Sequence, residues 1–173
     1  IDAYTQVKEK IDSRVPLLFE VFPKADYEVR AVEAFRAASS AGASYQSPAP
    51  DGSRPGIFYI NAYNLKAQPK YLMETLSIHE AAPGHHFQIA IQQEVESLPD
   101  FRKFGGYTVF AEGWALYAES LGKEMGLFTD PYMWYGRLSD EQLRAMRLVV
   151  DTGLHAFGWT RQQAIDFMID NSS

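Results

Sequence analysis

Apolar and polar positions change period several times along the chain, and each change marks an element. Residues 2–19, from Asp2-Ala3-Tyr4-Thr5 to Leu17-Leu18-Phe19, carry apolar positions at helical spacing; they predict a helix N-capped by Asp2 and interrupted near Pro16. Tyr27-Glu28-Val29-Arg30-Ala31-Val32 alternates as a short strand does. The stretch from Ala37 to Pro55 is rich in Ala, Ser, Gly and Pro, with Asp51-Gly52 as a turn signal and Tyr45 on a candidate strand within it. Gly56-Ile57-Phe58-Tyr59-Ile60-Asn61 is a second strand. Residues 67–95 read as helical with a break at Pro83-Gly84, and Glu94 to Gly106 as a loop around Leu98-Pro99-Asp100. Phe110 to Glu119 is a helix with apolar residues on nearly every side, a pattern that predicts burial. Asp130-Pro131 opens a further helix that leads into 143–159, and the capping box Thr160-Arg161-Gln162-Gln163 opens a last one, which stops at Asn171-Ser172-Ser173 without a clear terminal signal. The expected fold is mostly helical α+β with a small antiparallel sheet. It divides into an N-terminal helix with short strands (1–66) and a helical core (67–173).

Composition narrows the class. The 173 residues are 46% hydrophobic and 14% aromatic, enough for a single globular domain or a large piece of one. No apolar run approaches the roughly 20 residues of a membrane span, and no basic-then-apolar leader opens the chain. A net charge of −6 with dispersed Lys and Arg argues against a nucleic-acid partner. Without cysteine, any metal must be held by His and carboxylate groups.

Ser77-Ile78-His79-Glu80-Ala81-Ala82-Pro83-Gly84-His85-His86-Phe87-Gln88 contains three of the four histidines. A His-Glu pair followed by another His has the residue types of a hydrolytic zinc site, where imidazoles bind the metal and the carboxylate takes a proton from water. The usual spacing puts the second ligand at i+4. Here His85 and His86 stand at i+6 and i+7 from His79, and on a regular helix i+7 lies roughly 10 Å further along the axis. A bulge at Pro83-Gly84 that absorbs two residues makes His85 the partner of His79; one that absorbs three makes it His86. The alternative is a helix end at Pro-Gly with three structural histidines.

Glu112 follows His85 by 27 residues, an interval that fits a loop and a returning helix carrying a third ligand. Glu119, seven further on, shares its face; the competing roles for Glu112 are a first-turn glutamate favoured by the helix dipole and a salt bridge to Arg144 or Arg147. Arg144, Arg147, Asp151 and His155 recur at i, i+3, i+7 and i+11 as one polar stripe, which either lines a site or faces solvent.

Three stretches together resemble one family: His79-Glu80-Ala-Ala-Pro-Gly-His85-His86-Phe-Gln88, Phe110-Ala-Glu112-Gly-Trp-Ala-Leu-Tyr117-Ala-Glu119, and Arg147 through Asp151 and His155 to Thr160. They look like the bacterial domain of unknown function 885 family, grouped with the gluzincin-type metallopeptidases. The resemblance implies a zincin-like core and a peptidase holding one Zn²⁺ per chain on His79, His85 and Glu112, with Glu80 as general base. Arg147, His155 or a tyrosine further downstream would then stabilise the oxyanion. His86, Tyr59, Tyr117, Glu119, Asp151 and Arg144 would stand around the ligands or the substrate, and the edge of the strand 56–61 could hold an extended peptide. Family members are longer, with a helical region before this stretch and an Arg-Tyr pair and Pro-Gly-Gln-Ala after it, so the chain reads as a catalytic core of a larger protein. Their kind allows a periplasmic or lipoprotein-anchored location. Two other functions stay open: a peptide-binding module without turnover, and a hydrolase of non-peptide amides. Oligomeric state is open too.

Overall fold

The computed structural model describes residues 1–172, so Ser173 of the expected terminal run lies outside it. The chain opens with helix α1 (Asp2–Asp12), followed by a 3-10 turn at Val15–Leu17 that takes in Pro16. Ile1, not Asp2, is the N-cap; Asp2 sits in the first turn, where its charge suits the positive end of the helix dipole. Then come β1 (Tyr27–Ala31), the single turn α2 (Ala34–Ala37), β2 (Ala43–Gln46) and β3 (Gly56–Ile60).

The sheet order is β1-β3-β2. β1 runs parallel to β3, from Tyr27 opposite Gly56 to Ala31 opposite Ile60, and β2 runs antiparallel to it, from Ala43 opposite Ile60 to Gln46 opposite Ile57. The sheet is therefore mixed, not antiparallel. The connection from β1 to β3 passes through α2 and β2 and is long enough to return the chain in the same direction, which a hairpin cannot do. β3 is the central strand, buried on both faces except at Tyr59, and β2 is an edge.

Two 3-10 turns (Leu65–Ala67 and Lys70–Leu72) occupy the start of the expected helical segment; α3 (Met73–Glu80) and α4 (His85–Glu94) follow, on either side of Pro83-Gly84. The expected loop holds a short helix, α5 (Asp100–Lys103). α6 (Thr108–Ser120), the 26-residue α7 (Pro131–Ala156) and α8 (Arg161–Asn171) complete the chain. Asp130 caps α7 through the Tyr132 amide, and Thr160 and Gln163 form the reciprocal capping box at the head of α8. Among the described residues no helix is long and apolar enough to cross a membrane.

The core lies between α1, the sheet, α3 and the C-terminal end of α6: Ile11, Phe58, Ile78, Ala118 and Met125 are all essentially inaccessible. The expectation that α6 is buried all round fails. Ala115, Ala118 and Glu119 are buried, but Val109, Phe110 and Tyr117 are 80%, 59% and 55% exposed, because α3 and α4 cover one side of α6 only.

Candidate metal centre

α3 ends at Glu80, and Ala81–Gly84 turn the chain before α4 begins at His85. The Ala81 carbonyl accepts from the amides of both His86 (3.1 Å) and Phe87 (3.4 Å), which ties the head of α4 to the tail of α3. Gly84 is required by crowding: a Cβ there would lie 2.0 Å from the carbonyl oxygen of His79 and 2.2 Å from that of Ile78. From α6, the Trp114 indole N–H donates to the Pro83 carbonyl (2.8 Å) and holds the turn from outside. The result is that the rings of His79 and His85 meet edge-on, with centroids 4.7 Å apart.

α6 brings Glu112 to both. Its Oε2 is 3.6 Å from His79 Nε2 and its Oε1 is 3.6 Å from His85 Nε2, and one donor atom from each of the three residues lies within 4.8 Å of the others. At 3.6 Å these are not hydrogen bonds. Donors about 2.0–2.1 Å from a tetrahedral zinc stand roughly 3.3 Å apart, so the spacing fits the edges of such a site. Glu112 is partly exposed, which leaves one side of the cluster open, while both histidines are buried.

Each donor is oriented by a partner. The Glu119 carboxylate, buried on α6, accepts from His79 Nδ1 (2.7 Å) and from the Thr75 hydroxyl (3.0 Å). Nδ1 of His79 therefore carries a proton, and Nε2 is the nitrogen left facing the cluster, the one a metal would take. Burial alone would lower the pKa of His79, but the Glu119 hydrogen bond and the charges of Glu119, Glu80 and Glu112 raise it. His85 shifts the other way, pushed down by burial and by His79, and so stays neutral, as a ligand must. Its Nδ1 is buried without a protein partner among the described residues. Arg144 donates from Nη2 to Glu112 Oε2 (2.8 Å), so the ion pair weighed against the cluster role coexists with it. Glu80 is half-buried beside the cluster, and its carboxyl is lifted to about 7, first by burial and then by Glu112, against His79 and Arg144.

His86 faces away. Its Nε2 meets the Ala25 carbonyl oxygen (3.0 Å), its Nδ1 meets the Tyr45 hydroxyl (2.9 Å), and Tyr27 packs on its ring. Burial pushes its pKa down to about 4, so the ring is neutral. Of the two candidates, His85 is the one in the cluster. Arg147, Asp151 and His155 lie exposed further along α7, the last roughly 16 Å along the axis from Arg144. Tyr59 lies on β3 with the Arg36 guanidinium over its ring, and Tyr117 is exposed against Trp114. Since β3 is paired on both sides, the strand edge beside the cluster belongs to β2: Tyr45 lies near-parallel to the His85 ring, and a groove of about 330 Å³ runs from Tyr45 and Ala111 past Gln88 to Tyr107. Thr75, Tyr45 and Trp114 escaped the sequence reading as site residues. Thr75 stands one helical turn before His79, which was a usable signal; nothing local marked the other two.

The family described as "Bacterial protein of unknown function (DUF885)" matches residues 1–173. A crystal structure of a candidate lipoprotein from Colwellia psychrerythraea superposes with a TM-score of 0.94 at 41% identity, over 98% of this chain and 29% of that one. The chain thus spans less than a third of that neighbour's length. No curated protein matches it. The chain belongs to the bacterial family of unknown function DUF885.

Proposed function

We propose, with that membership as premise, that this chain is the catalytic core of a zinc-dependent peptidase of zincin type. The observation that supports it is the convergence of His79, His85 and the Glu112 carboxylate, one donor atom from each within 4.8 Å of the others, with both histidines buried and Glu112 partly exposed. Two imidazoles, one carboxylate and an open position form the donor set of a hydrolytic zinc site. Zinc bound there supplies Lewis acidity and lowers the pKa of a coordinated water.

The remaining steps belong to the protein. Glu119 and Thr75 hold His79, Arg144 holds Glu112, and the Gly84 packing holds His85 against both. Glu80 is the general base: its carboxylate accepts the proton of the attacking water and passes it to the leaving amine. Arg147, one helical turn beyond Arg144 on the same face of α7, is the oxyanion candidate this chain offers, whereas His155, roughly 16 Å along the axis from Arg144, stands too far along the helix for the role the sequence suggested. The free edge of β2, not β3, is where an extended peptide would lie, with Tyr45 at its end nearest the cluster. The neighbour's description as a candidate lipoprotein supports an envelope location.

The test is metal analysis of protein never exposed to chelator, together with a peptide-library assay on this chain and on a full-length relative. About one equivalent of zinc and metal-dependent cleavage are expected. Failure to take up any divalent metal after repletion would sink the proposal, and bound zinc with no cleaved peptide would point to a binding module or to another amide substrate.

A further inference from the structure

His86 adjoins a proposed ligand, is 2% exposed, and takes no part in the three-residue cluster. Both ring nitrogens are engaged, and chemistry fixes the direction of each bond. The Ala25 carbonyl can only accept, so Nε2 of His86 carries the proton; Nδ1 of the neutral ring is then a lone pair, and the Tyr45 hydroxyl donates to it. Tyr45 stands on β2, so this chain of two hydrogen bonds connects the 25–26 loop, the head of α4 and the edge strand.

Gly56, on β3, closes the remaining side. A Cβ at that position would lie 2.7 Å from His86 Nδ1 and 3.0 Å from the Tyr45 hydroxyl oxygen, and a buried ring gripped at both ends cannot yield to it. The same tyrosine packs at 5.7 Å against His86 and at 6.4 Å against His85. Successive residues at the head of α4 point about 100° apart, so one histidine serves the cluster while its neighbour serves the strand.

We propose that Ala25, His86 and Tyr45 form a clamp that fixes edge strand β2 at its distance from His85 and Glu112, which makes Tyr45 and His86 positioning residues for an extended peptide lying along β2. The choice of substrate rests on the peptidase proposal; the clamp rests on the hydrogen-bond geometry and on Gly56. A displacement of β2 would leave a buried acceptor unpaired on His86, a costly state.

The zinc-loaded protein and a peptide it cleaves provide the first arm. Tyr45→Phe is expected to keep its zinc, to raise KM about tenfold and to leave kcat within about twofold. Gly56→Ala attacks the same contact from β3 and should give the same pattern, with the double variant no worse than either single one. Loss of zinc in Tyr45→Phe, a fall in kcat at constant KM, or effects that multiply would overturn the clamp. The second arm needs no turnover. Long-range ¹H–¹⁵N spectra should find His86 protonated at Nε2, and amide exchange in 43–46 should quicken at least tenfold in Tyr45→Phe. Unchanged exchange, or a proton on Nδ1, refutes the proposal. If no peptide is cleaved, the peptidase reading falls and this arm alone decides the clamp.

Discussion

Glu119 determines which nitrogen His79 can offer, since its carboxylate occupies Nδ1 and leaves Nε2 facing Glu112. Glu119→Gln removes the charge that polarises the imidazole, and zinc affinity should fall about 10–100-fold, as when an outer partner of a metal histidine is lost; competition against a chromophoric chelator measures it. His85→Ala should abolish zinc retention while His86→Ala retains the metal, with elemental analysis of the two purified variants as the readout. The reverse outcome would place the second ligand one residue later. Glu80→Gln should keep zinc bound and reduce kcat by at least about 10²-fold, because the amide fills the same space without a basic oxygen. At this scale the sequence carried the donor types and even the Pro83-Gly84 device, because His, Glu and Gly have few substitutes at such a site. It could not carry the partners. Tyr45 is 41 residues from His86, and neither pattern nor spacing links them.

The turn at Ala81–Gly84 converts two short helices into one binding face, and it tolerates no side chain at Gly84. Gly84→Ala forces a methyl against two backbone carbonyls of α3; a cost of about 3 kcal/mol, at the upper end for overpacking, is expected in the urea midpoint, together with weakened zinc binding. Thr160→Ala removes a cap at the head of α8, far from the cluster, so about 1 kcal/mol should be lost with zinc binding unchanged. If both variants lowered zinc binding alike, the specific role of Gly84 would fail. Elements with strong periodicity or capping signals, such as α7, α8 and β3, were legible. The strand order was not: the hydrophobic run of β3 fits a central strand as well as an edge, and only its pairing to both β1 and β2 decides. α6 misled for a related reason, since an apolar sequence reports what a helix could bury, not how many neighbours it has.

At the scale of the whole molecule, the candidate donors come from three helices, so a bound metal would tie α3, α4 and α6 together in the native state only. Binding at 100 times Kd adds about 2.7 kcal/mol. For a chain of this size that corresponds to a rise in Tm of roughly 5–11 °C, reversed by chelator and followed by calorimetry; a Tm indifferent to zinc would contradict a site built across helices. The same arrangement has an optical consequence. Of the three tryptophans, Trp134 packs against Phe128 and Lys123, and Trp159 against Phe167 and the Gly153 turn of α7. Trp114 alone is bonded to the turn between the two histidines, two residues after Glu112 on the same helix. Its emission in a Trp134→Phe/Trp159→Phe background would therefore act as an intrinsic gauge of metal loading, with no dye attached to the protein.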